Sequence, residues 1–332
     1  MRIRLLLSSV CLVCLASSAQ AWGPDGHRMI GELAVKALPA ELPEFLRTAA
    51  TAEEVGYLGP EADRVRGAGK MFDAEHGPEH FVDVSDDLTI LGGPSLKALP
   101  VTREDYDTAL RAVGKTQYKA GYLPYSIIGG FQRLAIDLAY WRVDVAGEKF
   151  GKTAEARAWY AKNRIVREKI VRHDLGTWSH FVADGSVPMH VTVHFNGWGD
   201  FPNPEGFTQA KIHVPWENEY VHDNIKDADV AALIPSYRDC NCAIEKRTAD
   251  YLLADQGQVV PFYRLEKTGA FAKATPEGKA FTAGRLAAGA AELRDMIVDA
   301  WKLSATLSVG WPATKVSDVE AGKADPYERL SY

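Results

Sequence analysis

Apolar positions recur at helical spacing along most of the chain, and alternating strand patterns are scarce. Within residues 28–38, Met29, Ile30, Leu33, Ala34, Ala37 and Leu38 form a broad apolar face that predicts a helix, closed by Pro39 and Pro43. A short helix is predicted over 44–50. Gly56, Gly59 and Pro60 mark a loop before the EADRVRG segment, and the Gly-, Pro- and Asp-rich stretch 67–100 predicts loop with short ordered pieces. Thr102 caps a predicted helix over 103–117. The apolar run 125–141 predicts a buried helix, and 153–181 is long enough for one helix or a broken pair, ended by Gly185 and Pro188. Residues 195–210 predict a loop. Further helices are predicted over 217–226, 234–254 and 279–307, and a polar, peripheral tail from about residue 313. The pattern is all-α: one helical domain over 22–332 with long loops.

Length and composition agree with that picture. A chain of 332 residues, 46% hydrophobic and 25% charged, buries a sizeable core without cysteine staples. Its first residues read differently. Arg2 and Arg4 precede an apolar stretch over 5–16 that is too short to span a membrane, and Ala19-Gln20-Ala21 has the small-x-small form of a signal-peptidase site. Cleavage is expected between Ala21 and Trp22, giving a periplasmic or secreted product. Cys11 and Cys14 do not sit in a lipid-attachment pattern, and no later apolar run resembles a transmembrane segment. Cys240 and Cys242 are either free or joined in a tight ring. The formal charge of -6 removes any global basic footprint for duplex DNA. Single strands and small phosphoesters stay open, because bound metal ions supply positive charge locally.

Histidine placement carries the chemistry. All nine histidines lie beyond the leader. His180-Phe-Val-Ala-Asp184 sets an imidazole and a carboxylate four residues apart, on one helix face. His190 returns after the turn at Gly185 and Pro188, and His213-Val-Pro-Trp-Glu217 repeats the four-residue spacing. Neutral imidazoles and ionised carboxylates suit zinc.

In number and order these pieces resemble the zinc-dependent phospholipase C and S1/P1-type nuclease superfamily. The matching segments are Trp22-Gly-Pro-Asp-Gly-His27, Asp63-Arg-Val-Arg66, His80-Phe-Val-Asp83, His180-Phe-Val-Ala-Asp184, Pro188-Met-His190 and His213-Val-Pro-Trp-Glu217. The resemblance implies a mostly helical domain holding three zinc ions in a cleft. By it, Asp63, His80, His180 and Asp184 hold the first ion. The amine and carbonyl of Trp22, with His27 and Asp184, hold the second. His190, His213 and Glu217 hold the third. An α-amine titrates near about pH 8, so a metal displaces its proton at modest cost. The resemblance also implies that water activated between close zinc ions attacks phosphorus, that Asp63 orients it, and that Arg66 stabilises the charged phosphoryl group. Phe81 would stack on a base and Asp83 would accept from the base edge.

The segments up to Asp83 resemble the nuclease branch, whereas 190–221 resembles phospholipase C. Glu217 stands where the nucleases carry Asp, and HFNGWG over 194–199 stands where they carry GGN. The implied activity is an endonuclease on single-stranded RNA or DNA, with 3'-nucleotidase activity open. The nuclease reading is preferred because the N-terminal segments cover both catalysis and base contact. The alternatives are hydrolysis of phosphatidylcholine-like phospholipids and a non-catalytic zinc-binding protein. Trp198, Phe201 and Phe207 line a lipid cleft or a base site, or pack the loop. No obligate protein partner is implied.

Overall fold

A computed structural model describes residues 22–331, and the predicted leader at 1–21 lies outside the described residues. Pro24, whose missing N–H is no loss at a helix start, opens α1 (Pro24–Lys36), which buries Met29, Ile30, Leu33 and Ala34. The stretch from 44 to 76 is more helical than its glycines suggest: α2 (Ala49–Leu58), α3 (Glu61–Arg66) and α4 (Lys70–His76) follow closely. The predicted helix over 103–117 is two, α5 (Arg103–Ala112) and α6 (Gln117–Ala120), because Gly114 takes φ 72 between them.

Two long helices follow, α7 (Leu123–Phe150) and α8 (Ala154–Asp184), the latter unbroken over 31 residues. Thr48, Thr102, Thr116 and Thr153 each accept a backbone N–H at the start of α2, α5, α6 and α8. Such caps contribute about 1 kcal/mol each. Beyond the 185–212 loops come α9 (His213–Pro215), a π-helical turn (Trp216–Tyr220), α10 (Val221–Asn224) and α11 (Asp227–Ala231). Then come α12 (Ile244–Gln256), α13 (Val259–Lys267) and α14 (Pro276–Ser304).

The helix predicted over 234–254 begins only at Ile244. Residues 234–243 instead lie along α14. There the Arg238 N–H donates to Asp295, Tyr237 donates to Asp299, and Arg294 donates to the Pro235 carbonyl. Cys240 and Cys242 are disulfide-bonded within this segment. The predicted peripheral tail is packed as well. The strands β1 (Ser308–Val309) and β2 (Thr314–Lys315) pair antiparallel, and α15 (Val316–Glu320) buries Val316 and Val319 against α7. A last turn, α16 (Tyr327–Leu330), ends the described chain.

α7 and α8 form the central hairpin, α14 packs on both, and α1 wedges between α2, α8 and α14. Ile30, Leu175, Val182, Leu286 and Ile297 share one core. Among the described residues no helix is long and apolar enough to cross a membrane. At the α7–α8 contact a Cβ on Gly130 would overlap the Trp178 ring, whose indole N–H donates to the Ile127 carbonyl at 2.9 Å. Gly130→Ala should therefore cost roughly 1–3 kcal/mol through overpacking, read as a lower urea midpoint at unchanged slope. An unchanged midpoint would show that α7 and α8 can separate freely there.

Candidate metal centre

The C-terminal turn of α8 places His180 and Asp184 on one face, both fully buried. Around them α1 brings His27 from its first turn, α3 brings Asp63, and a 3₁₀ turn over Gly77–His80 brings His80. A second 3₁₀ turn, Pro188–His190, brings His190. His213 at the start of α9 and Glu217 in the π-helical turn complete the set. The side chains fall into three groups: His27 with His180 and Asp184, Asp63 with His80 and His180, and His190 with His213 and Glu217. Within each group the candidate ligand atoms lie within 4.8 Å of one another.

Asp184 stands between the first two groups. Its Oδ1 is 3.6 Å from His27 Nε2, while its Oδ2 is 3.1 Å from His80 Nδ1 and 3.4 Å from His180 Nε2. Asp63 Oδ1 lies 3.9 Å from His80 Nδ1. In the third group Glu217 Oε1 is 3.7 Å from His190 Nε2 and 2.6 Å from His213 Nε2. Ligands about 2.0–2.1 Å from a shared tetrahedral ion sit about 3.3 Å apart, the middle of this range.

Most of the buried side-chain nitrogens and oxygens that lack a hydrogen bond among the described residues belong to this centre. They include both ring nitrogens of His27, Asp184 Oδ1, His190 Nε2, His213 Nε2 and both oxygens of Glu217. Even the short His213–Glu217 approach is not aligned as a hydrogen bond. Orphaned groups cost about 1–3 kcal/mol each unless something satisfies them, and a cation in each group would satisfy its carboxylate oxygens and one nitrogen of each imidazole. Orienting partners are already in place. The Gly59 carbonyl faces His180 Nδ1 at 2.7 Å and the His80 carbonyl faces His190 Nδ1 at 2.5 Å, leaving each Nε2 for a ligand role.

The electrostatics point the same way. Burial first, then repulsion from neighbouring imidazoles, holds His27, His80 and His190 well below the ordinary histidine range. Burial also lowers His180 and brings His213 down to about 3. Asp184 and Glu217 are pushed well above the usual carboxylate range, by burial first and then by Asp63. The imidazoles are thus neutral and ready to ligate, while the carboxylates need a positive neighbour to ionise.

Trp22 is fully buried. Its indole N–H donates to Ser186 Oγ at 2.9 Å and its ring leans on Trp216, 4.8 Å between centroids. This seats residue 22 against the first turn of α1, where a Cβ on Gly26 would press 2.9 Å from Trp22 Cβ. Arg66 lies between two carboxylates, with Nε 2.9 Å from Asp73 and Nη1 3.5 Å from Asp63.

A cavity of about 260 Å³ opens beside the centre, lined by Arg66, His80, Phe81, Asp83, His190 and His213. Phe81 is therefore a wall of the cavity rather than core. Burial raises Asp83 to about 7, against the opposing pull of Lys119. Tyr118, Lys119, Met189 and Phe195 complete the lining. No metal-ligand spacing pointed to these four. The only available signals were the Pro188-Met-His190 segment and the aromatic–basic pair itself. Trp198 and Phe207 do not reach the cavity. They pack the 195–210 loop against Tyr263, and Trp198 stacks on His194 at 3.8 Å. His194 is bound to Asp86 and the Trp198 carbonyl, and so stands outside the three groups. His76, His173 and His222 pair with Glu79, Asp174 and Asp25.

Comparisons of the chain with protein-family models, with curated proteins and with solved structures returned no match.

Proposed function

We propose that this protein is a zinc-dependent phosphodiesterase of the S1/P1 nuclease kind, cleaving single-stranded nucleic acid. The observation that carries the reading is Asp184, one buried carboxylate presenting its two oxygens to two adjacent ligand groups. The donor set, imidazoles and carboxylates without softer sulfur ligands, fits zinc. Asp63, His80, His180 and Asp184 would hold one ion, His27, Asp184 and the Trp22 amine and carbonyl a second, and His190, His213 and Glu217 a third. Bound there, zinc lowers the pKa of water toward neutrality and offsets phosphate charge.

The chain's own residues do the rest. Arg66 faces the cavity beside His80 and His190, where its fork of donors can take a phosphoryl oxygen. Asp73 and Asp63 hold that guanidinium in place. Phe81 offers a ring for base stacking and Asp83 an acceptor for the base edge. The deciding experiment is a panel on zinc-loaded protein beginning at Trp22: single-stranded RNA, single-stranded DNA, a nucleoside 3'-monophosphate and phosphatidylcholine. Cleavage of either polymer supports the reading. Phosphatidylcholine hydrolysis alone selects phospholipase C, and stoichiometric zinc without turnover selects a binding protein.

The Trp22 role has its own test. Protein carrying extra residues before Trp22 should lose about one zinc per chain and most of its turnover, because an amide nitrogen replaces the α-amine. Equal zinc content and equal rate in both forms would remove residue 22 from the ligand set.

A further inference from the structure

The indole of Trp22 sits in a socket that the three ligand groups do not account for. Its buried N–H donates to Ser186 Oγ at 2.9 Å. Ser186 is itself fully buried, and its hydroxyl donates to the Ala183 carbonyl at 2.8 Å. The neighbouring Tyr251 hydroxyl donates to the Val182 carbonyl at 2.7 Å. The indole is therefore the donor that completes Ser186 Oγ. Two buried glycines make the room. A Cβ on Gly289 of α14 would stand 2.7 Å from Ser186 Oγ, and the close approach of Gly26 to Trp22 leaves no space for a side chain there either. Trp216 closes the remaining side, its own N–H donating to Thr282 Oγ1 at 3.0 Å.

This socket touches the ligand groups without belonging to them. Ser186 follows Asp184 by two positions, and Trp216 immediately precedes Glu217. The next backbone unit is tied in as well. The Gly23 N–H donates to the Glu217 carbonyl, and the Gly23 carbonyl accepts from the His27 N–H, both at 3.2 Å. Residue 22 is thus held by its side chain against the end of α8 and the 213–217 turn, and by its neighbour against His27.

We infer that Ser186 is a positioning residue for the N-terminus of a chain cut before Trp22. Its bond to the indole fixes where the α-amine and carbonyl of residue 22 stand, so the fold reads tryptophan there and not merely a free terminus. The inference rests on the ligand reading of Trp22 above. A chain end frays unless something ties it down, and ordering it costs conformational entropy. A ligand that is in place only part of the time binds correspondingly more weakly. The indole bond orders the terminus before any metal arrives, which is preorganisation supplied by a side chain that is not itself a ligand. Phenylalanine would fill much of the same space but carries no N–H, leaving Ser186 Oγ without its donor in a dry site.

The test is a chelator titration of zinc-loaded protein beginning at residue 22, with metal content measured at each step. In Trp22→Phe and in Ser186→Ala, one of the three ions should leave at a roughly 10-fold lower chelator concentration, the scale of one buried hydrogen bond. Both changes delete the same bond, so the double variant should lose no more than either single one. In protein carrying extra residues before Trp22, which lacks that ion already, Ser186→Ala should leave release of the other two unaltered. A merely structural serine would weaken zinc in both backgrounds, and that result overturns the inference. Release of all three ions at the parent's chelator concentration in both single variants also overturns it, while the Trp22 ligand reading survives if the extended protein still lacks one ion. An extended protein that keeps three ions removes the ligand reading and the inference together.

Discussion

Asp184→Asn should strip the ions from two of the three groups at once and lower turnover at least roughly 10²-fold, the scale seen when catalytic electrostatic stabilisation is removed. The substitution keeps the size of the side chain and changes its chemistry at both oxygens. One oxygen becomes an NH₂ that can only donate. Whichever way the amide turns, it aims a donor either at His27 or at His80 and His180, with no water to compensate in a fully buried site. The negative charge that offsets two cations is lost as well. The third group does not include Asp184, so it should keep its ion. Metal analysis of the variant should thus fall from about three zincs per chain to about one. Near-normal turnover with full occupancy would mean that Asp184 serves neither group.

Removing the metal should destabilise the protein strongly, and more so at high pH. A ligand that binds only the folded state at a thousand times its dissociation constant contributes about 4 kcal/mol. Chelation should therefore lower the melting temperature on the order of 10 °C. The pH dependence follows from the carboxylates. Without metal, Asp184 and Glu217 have folded-state pKa values raised well above the unfolded ones. Their contribution to apo stability is present below the unfolded pKa and is lost as pH rises through the folded value. Metal reverses that penalty by pairing the ionised forms. The histidines are lowered in the fold already, so near neutrality they add little to the difference. Melting curves with and without chelator should separate further at pH 8 than at pH 5.5. A constant separation would show that these carboxylates are not the metal's partners.

The helical frame was legible where one face is continuously apolar. α1, α8 and α14 lie close to their predicted spans, while α7 runs on to Phe150, past its predicted end at 141; Ile30, Leu134, Leu175 and Leu286 follow the helical period into one core. The histidine and carboxylate pairs were legible for a related reason. Spacings such as 180/184 and 213/217 have one geometric meaning on a helix, and even the π-helical turn keeps Glu217 beside His213. The 234–243 segment was not legible, because its side-chain and backbone bonds reach residues of α14 more than fifty positions away. No helix is predicted over α13, although Val259, Phe262 and Tyr263 bury its inner face. The far wall of the cavity was hidden for the same physical reason. Tyr118 and Lys119 reach it through backbone bonds and a left-handed glycine, and neither carries a side-chain period.

The ligand groups are assembled from stretches that are far apart along the chain: His80 and Asp184 meet across 104 residues, and His80 and His180 across 100. Closing loops of that length slows folding, and the α7–α8 hairpin, whose contacts are local, has no need to wait for them. Metal capture would therefore come late in folding, after α8 has docked, and for the third group after the chain through Glu217 has been delivered. A metal-loaded molecule would have passed a test of its own topology. Once loaded, the ions would act as reversible cross-links, two tying the N-terminal helix, α3 and the 77–80 turn to the end of α8 and the third tying the 213–217 turn to the 188–190 turn. The resistance of these distant segments to proteases should then rise and fall together, with metal supply setting the level.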